Sequence, residues 1–264
     1  MIRAGLRIMK STPQGGINSQ LLTELGWWIM DENKINIYQI SEISALIEFG
    51  KEIKPDTNKK IRIFCEYLEN NSLCGFVEYV PYFTSVSVIY DPLKINSINA
   101  FEKVKEKIEN ILQNLDFSAQ YEEHVVEIPV CYGNEYGPDI TYVAEANNMK
   151  IDDVIDIHCK GKYLVYMIGF APGFPYLGGM SEKIATPRRE TPRTAVPKGS
   201  VGIAGMQTGV YPIETPGGWQ IIGRTPLKLF DAERKEKTLL KCGDIIKFYP
   251  ISCDEYLKLK EKLA

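Results

Sequence analysis

From Ile35 onward the hydrophobic and polar positions follow a regular pattern that predicts short strands and one helix. The helix covers about residues 57–69 and lies between two pairs of strand-like segments. These elements together predict a small α/β domain over residues 30–96. The predicted strands are 35–40, 44–49, 76–80 and 85–90.

The next segment has the period of an amphipathic helix. Ser97 or Asn99 is a suitable N-cap, because short polar side chains accept hydrogen bonds from the first helical turn. Lys105 is the one charged residue among the otherwise apolar positions of the buried side. We therefore expect a helix over residues 97–120 that packs by one face and connects two domains. Its apolar positions are Ile98, Phe101, Ile108, Ile111, Leu112 and Leu115.

A second domain is expected over residues 121–264. It opens near His124 with the alternating strand HVVEIPVCY, and the sequence GPD then begins a helix that is followed by another over 151–159. Residues 161–226 contain 12 of the 21 glycines and 8 of the 15 prolines, set within apolar runs, so the backbone is ordered but sharply bent. This pattern predicts a compact barrel or sandwich. Its expected strands are 164–168, 200–204, 219–222 and 227–230.

Composition narrows the classes of function. The 264 residues carry a formal net charge of −3, so nothing favours binding to nucleic acid, which needs a basic face. Residues 181–200 carry five basic residues against two acids, which suits a small anionic ligand or simply a solvated loop. The six cysteines show no CxxC and no metal-ligand spacing with histidine, so we expect reduced thiols and no bound metal.

No apolar run approaches the roughly 20 residues that span a bilayer, and the N-terminus lacks the features of a secretory signal. A cytoplasmic location with no membrane partner is therefore predicted. Residues 1–29 show no clear period, and Met30 follows them directly. We expect these residues to be a poorly ordered extension and Met30 to be the natural start.

Two histidines are the only imidazoles available as a general base near neutral pH. His124 opens a strand and is expected to face solvent. His158 lies at a helix end beside the entry to the barrel, where it has a catalytic role, a structural hydrogen bond or the role of a charge at the helix end.

Polar and aromatic residues in the Gly/Pro-rich region are the candidate binding groups. Arg193 and Arg224 lie in segments bounded by Pro or Gly, where a rigid backbone aims a guanidinium at a carboxylate or phosphate; a surface ion pair is the alternative. Tyr211 and Trp219 offer an apolar wall, or else they fill the core. Gln207 and Thr208 lie between two glycines, and their amide and hydroxyl groups suit an amide-like ligand.

Taken together, several strings resemble the family formed by the B subunit of 5-oxoprolinase, also called the kinase A inhibitor family or allophanate hydrolase subunit 1. They are SALIEFG, EIPVCYG followed by GPD, YMIGFAPGFPYLGG, and TPRTAVPKGSVGIAGMQTGVYPIETPGGWQIIGRTP followed by LFD. They occur in this order and cover residues 35 to about 252. The departures are residues 1–29, which have no counterpart, and Lys198, which stands where the family has a small residue.

The resemblance implies an α+β protein: a small N-terminal α/β domain followed by a cyclophilin-like β-barrel. It also implies the B subunit of an ATP-dependent 5-oxoprolinase, which opens 5-oxoproline to L-glutamate together with subunits A and C. ATP, with Mg²⁺, is then expected in the complex. The arginines would hold a carboxylate or phosphoryl group, and the isolated chain is expected to be inactive because no complete catalytic set is visible.

Two other functions stay open at this point. One is regulatory: the chain would bind a sensor histidine kinase and block it. The other is a carboxyltransferase-like subunit of urea or allophanate metabolism, which is disfavoured because the chain shows no biotin-attachment or carboxylase region.

Overall fold

The computed structural model describes residues 35–71, 73–118 and 123–263. The expected disorder of residues 1–29 and the expected start at Met30 lie outside the described residues. From Ile35 onward the chain forms one compact unit with several hydrophobic clusters. The domain boundaries expected near residues 96 and 120 therefore stay predictions.

An antiparallel four-stranded sheet with two helices forms the first part of this unit. Its strand order is β1-β2-β4-β3, and apolar side chains on one face, such as Ile47 and Val88, pack against both helices. Helix α2 begins after Asn99, whose side chain accepts a hydrogen bond from the Glu102 amide at 3.4 Å. This helix is shorter than the predicted 97–120, and its buried residues belong to the core of the sheet. The elements are β1 (Asn36–Ser41), β2 (Ser44–Glu48), α1 (Pro55–Asn70), β3 (Phe76–Pro81), β4 (Ser85–Tyr90) and α2 (Ala100–Asn114).

A seven-stranded sheet in the order β10-β9-β12-β5-β13-β6-β7 forms the second part. Its two edge strands, β10 and β7, lie beside each other, so the sheet is a nearly closed barrel. Strands β5 and β13 are parallel, and the other described neighbours are antiparallel. The elements of the barrel are β5 (Val125–Tyr132), α3 (Ile140–Ala146), α4 (Ile151–Lys160), β6 (Tyr163–Ile168), β7 (Pro175–Gly178), β9 (Ser200–Ala204), β10 (Gln207–Val210), β12 (Gln220–Arg224), β13 (Ile245–Pro250) and α5 (Cys253–Lys262).

The barrel strands separate two apolar clusters. Ile203 and Ile222 point into the barrel, whereas their neighbour Ile221 joins a second cluster outside it. Val196 of the two-stranded sheet formed by β8 (Arg193–Val196) and β11 (Thr215–Gly217) belongs to this outer cluster. Because successive side chains of a strand point to opposite faces, β9 and β12 contribute to both clusters.

The predicted α+β class, a small α/β layer followed by a barrel, is confirmed. One predicted strand is wrong: residues 227–230 form no strand, and Phe230 makes a single isolated bridge with Thr238. Within the described ranges, none of the helices combines the length and the apolar character needed to cross a bilayer.

Candidate functional site

His158 lies inside the barrel and is fully buried. Its Nδ1 atom is 2.7 Å from the Tyr132 hydroxyl, and its Nε2 atom is 2.9 Å from Oγ1 of Thr208. The Thr208 hydroxyl donates to the carbonyl of Gly202 at 3.1 Å. Since Thr208 Oγ1 donates elsewhere, it accepts from Nε2–H, and Nδ1 accepts from the Tyr132 hydroxyl.

This burial determines the protonation of His158. The ring stacks on Phe248 with centroids 4.6 Å apart, and desolvation lowers its pKa from 6.5 to about 3. The imidazole is therefore neutral at physiological pH, with both nitrogens engaged and no surface exposed to a ligand. The geometry thus favours the structural alternative for His158 over the predicted catalytic role. Thr208, predicted to read a substrate, is likewise 1% exposed and bonded to His158.

The predicted aromatic wall is packed on the outer face of the barrel. Tyr211 and Trp219 are 3% and 8% exposed, and each meets the ring of Phe174 edge-on at 5.7–5.8 Å between centroids. They form the interior of the outer cluster, which matches the core-filling alternative. Beside them, Phe170 is 72% exposed, and its φ of +66° is a backbone conformation that bulky residues rarely adopt.

Asp139 neutralises one of the two candidate arginines. Its Oδ1 atom accepts from Arg193 Nη2 at 2.7 Å and from Arg189 Nη1 at 3.1 Å. Its Oδ2 atom accepts from the backbone amide of Ile221 at 2.6 Å, and the residue is 6% exposed. Arg193 therefore ties β8 to β12 through a buried carboxylate, although its Nη1 atom has no hydrogen-bond partner.

Arg224 lies at the end of β12, the strand whose Ile221 amide Asp139 binds, but its surroundings differ from those of Arg193. Its guanidinium lies 5.5 Å from the centroid of the Tyr136 ring, which is a cation–π geometry, and its charge acts on the nearby Tyr256 hydroxyl, where it opposes the rise in pKa that burial causes. Among the described residues it forms no ion pair with a carboxylate, and its buried Nε atom has no partner. Ser200 lies directly opposite on β9, fully buried, and its Oγ atom is also without a partner. We call Arg224, Ser200, Tyr136 and Tyr256 the Arg224 corner.

The loop between β5 and α3 brings Tyr136 and Asp139 to strand β12. Its backbone is bonded to that strand through the Gly133 amide and the Ile222 carbonyl at 3.0 Å. Gly137 is required here, because a Cβ atom at this position would collide with the Ile222 carbonyl. The sequence interpretation treated GPD only as a helix start, so it missed the contacts of this loop with both arginines.

The remaining candidates lie nearer the surface. Gln207 begins β10 and is half-buried, and Lys198 is exposed. His124 faces solvent as expected and pairs with Asp244 at 2.9 Å. Across the part of the chain that the structure describes, no three His, Cys, Asp or Glu side chains group as metal ligands do. The six predicted binding residues therefore do not share one cleft. Of the two predicted arginines, Arg224 is the one without a carboxylate partner among the described residues, and its Nε donor is unused.

Comparison with known proteins agrees with this architecture. The model of the carboxyltransferase domain, subdomain C and D, matches residues 35–240. The B subunit of the Bacillus subtilis 5-oxoprolinase is 47% identical over 235 residues, which cover 87% of this chain and 98% of that protein. A urea amidolyase of Lachancea kluyveri is 26% identical and aligns with 86% of this chain, which spans 14% of the amidolyase. The solved structure of TTHA0988 superposes with a TM-score of 0.69 at 31% identity, covering 79% of this chain and 40% of that one.

The fold and the matched region thus define a carboxyltransferase-domain protein of subdomains C and D. At near full length and 47% identity, the chain belongs to the family of 5-oxoprolinase B subunits.

Proposed function

We propose that this chain is the B subunit of an ATP-dependent 5-oxoprolinase, which opens 5-oxoproline to L-glutamate together with subunits A and C in the cytoplasm. The observation that carries the proposal is the similarity to a 5-oxoprolinase B subunit over 98% of that relative's length. The urea amidolyase match supports the carboxyltransferase-like alternative less well, because it is weaker and covers a small part of a much longer protein.

The chemistry of the reaction suits the Arg224 corner. A five-membered lactam is a stabilised amide, and phosphorylation of its oxygen by ATP would make that oxygen a leaving group. The ring carboxylate and the transferred phosphoryl group are both anions that a guanidinium binds through paired hydrogen bonds. Arg224 has an unpartnered Nε donor, and the Ser200 hydroxyl beside it is also unpartnered. We therefore assign the binding of one of these anions to Arg224.

The corner is an incomplete active site. It supplies one cation and the hydroxyls of Ser200, Tyr136 and Tyr256, whereas the imidazole of His158 is enclosed in the barrel. ATP, with Mg²⁺, and the groups that activate water are therefore assigned to a site completed by the partner subunits. On this account the isolated chain does not turn over 5-oxoproline.

The test is ATP turnover that depends on 5-oxoproline, measured with this chain alone, with subunits A and C alone, and with all three together. The proposal expects turnover only in the full mixture. Unchanged turnover without this chain would overturn it, as would full activity of this chain alone. Inhibition of a sensor histidine kinase at stoichiometric protein, with no effect on 5-oxoproline turnover, would support the regulatory function instead.

A further inference from the structure

Two cysteines that lie far apart in sequence meet beside the Arg224 corner. Cys131 is near the end of β5, directly opposite Arg224 on β12, and Cys253 is the first residue of α5. Their Sγ atoms lie 3.2 Å apart, closer than two sulfur atoms in ordinary van der Waals contact. Both are free thiols, so the fold has placed a pair of thiols within reach of bond formation.

The burial of the two thiols determines which of them reacts first with an external disulfide. Cys131 is 2% exposed, and burial, the largest cause, raises the pKa of its thiol to about 12. Cys253 is half-buried and lies at the start of a helix, so it is the thiol that an external reagent reaches. An accessible first thiol next to an enclosed second one is the arrangement in which a mixed disulfide is resolved internally.

Helix α5 is attached to the barrel by a small contact. Tyr256 is its single buried residue among those described, and its ring lies 4.4 Å from that of Tyr136 between centroids. The first turn is otherwise held by its own capping box, formed by Ser252 and Glu255. A covalent bond from Cys253 to β5 would therefore hold the helix, and the Tyr256 side chain that lies near Arg224, against the barrel.

We propose that Cys131 and Cys253 are a site of reversible oxidation, at which a disulfide joins helix α5 to strand β5. The oxidant is a small disulfide such as oxidised glutathione. The Cys253 thiolate attacks it, forming a mixed disulfide and releasing one glutathione thiolate. The Cys131 thiolate then attacks Cys253 Sγ and releases the second glutathione. Two protein thiols are oxidised, one external disulfide is reduced to two thiols, and the two protons pass to solvent and the leaving thiolates.

The disulfide would close a loop of more than one hundred residues, which restricts the unfolded chain strongly. A rise in the melting temperature of roughly 5–10 °C is therefore expected for a chain of this size. Binding at the Arg224 corner would change as well, because Tyr256 is then held in place. This last consequence alone rests on the proposed function; formation of the bond does not.

The experiment treats the folded full-length protein with oxidised glutathione and maps disulfides by mass spectrometry of non-reduced peptides. The expected product links the peptides of Cys131 and Cys253, is two hydrogen atoms lighter than the reduced chain, and is reversed by dithiothreitol. Cys253→Ser and Cys131→Ala must each abolish this link and the rise in melting temperature. The matched control is Cys74→Ser, which removes an exposed cysteine and should leave both unchanged.

Two results would overturn the inference. One is stable glutathione on Cys253 with no link to Cys131, which would show that the thiols do not meet in solution. The other is a link that forms only in urea, which would make it a property of the unfolded chain. A link that forms in the folded protein without raising the melting temperature would refute the proposed attachment of α5.

Discussion

Polar side chains line both the barrel interior around His158 and the Arg224 corner on its outer face, but their hydrogen bonding differs. In the interior, both nitrogens of His158 and the hydroxyl of Thr208 have partners. At the corner, Arg224 Nε and Ser200 Oγ have none. A buried polar group without a partner costs free energy, so a fold retains it where something else supplies the missing bond. The hydrogen bonding therefore fits a structural role for the interior and is consistent with the binding role proposed for the corner.

Arg193 differs from Arg224 in having a carboxylate partner, although its Nη1 atom is also without a hydrogen-bond partner. Asp139 accepts from three donors, which are Arg193, Arg189 and a backbone amide of β12, so this junction is a structural one. The two arginines, which look equivalent in sequence, are therefore expected to respond differently to substitution.

The largest effect is expected at this junction. Asp139→Ala removes the carboxylate and leaves two guanidinium groups and the Ile221 amide without their acceptor. The free energy of unfolding should fall by about 3 kcal/mol, as when one partner of a buried ion pair is lost. Urea denaturation measures it, with the exposed Glu145→Ala as a control that changes stability by less than about 0.5 kcal/mol. If Asp139→Ala lowered stability no more than Glu145→Ala does, the ion pair of Arg193 would not be structural, and Arg193 and Arg224 could no longer be distinguished on this ground.

Arg224 should show the opposite balance of stability and activity. Arg224→Gln removes the cation but no ion pair, so 5-oxoproline-dependent turnover of the complex should fall roughly 10- to 100-fold. The unfolding free energy should change by less than about 1 kcal/mol. Arg224→Lys keeps the charge and should retain part of the activity, whereas Arg193→Gln should act mainly on stability. Full activity of Arg224→Gln in the complex would contradict the assignment of the corner.

The pH dependence of stability tests the interior. The unfolded chain protonates His158 below its ordinary pKa of about 6.5, whereas the folded chain holds it neutral down to about 3. The contribution of His158 to the free energy of unfolding is therefore complete above pH 6.5 and is lost as the pH falls toward 3. At pH 5 the loss amounts to about 2 kcal/mol. Urea denaturation at pH 7 and pH 5 in His124→Gln, which lacks the other imidazole, measures it. An NMR titration of folded protein in which the His158 ring protonates near pH 6 would refute this account.

The smallest effect is expected for the hydroxyl of Thr208. Thr208→Val keeps the shape but removes the acceptor of His158 Nε2–H and a donor to the Gly202 carbonyl, so stability should fall by about 1–2 kcal/mol. Thr208→Ser keeps the hydroxyl and is the matched control for its loss. Neither variant should lower the activity of the folded complex. If Thr208→Val lost turnover at unchanged stability, Thr208 would be a substrate-binding residue, as first predicted, and its structural role would be refuted.

The local spacing of hydrophobic residues predicted many helices and strands correctly, because each of these elements buries one face and its hydrophobic residues recur with the period of that face. The helix predicted over 151–159 is observed as Ile151–Lys160, and the strand HVVEIPVCY as Val125–Tyr132. Prediction failed at 227–230, where Leu229 is buried in the barrel cluster but the backbone forms only the isolated bridge of Phe230 with Thr238. It also missed β8, whose partner β11 begins about twenty residues away, because no local period records a distant pairing.

The candidate site shows the same division. The pattern of glycine and proline positions correctly singled out the region that forms the outer face, which contains Arg193, Tyr211, Trp219 and Arg224. It did not indicate Tyr256, Ser200 or Cys253, which reach Arg224 and Cys131 through strand and helix contacts between distant segments. Nor did it separate an arginine held by Asp139 from one without a carboxylate partner.

The sequence by itself determined the α+β class, most of the strands and helices, and the family, since these depend on the order of side chains along the chain. The tertiary structure alone decided which polar groups are enclosed and paired and which are left with unused donors. That outcome depends on burial and on atoms brought within about 3 Å, where hydrogen bonds and ion pairs act. Those contacts join residues that are distant in sequence, such as Cys131 and Cys253, which lie 122 positions apart.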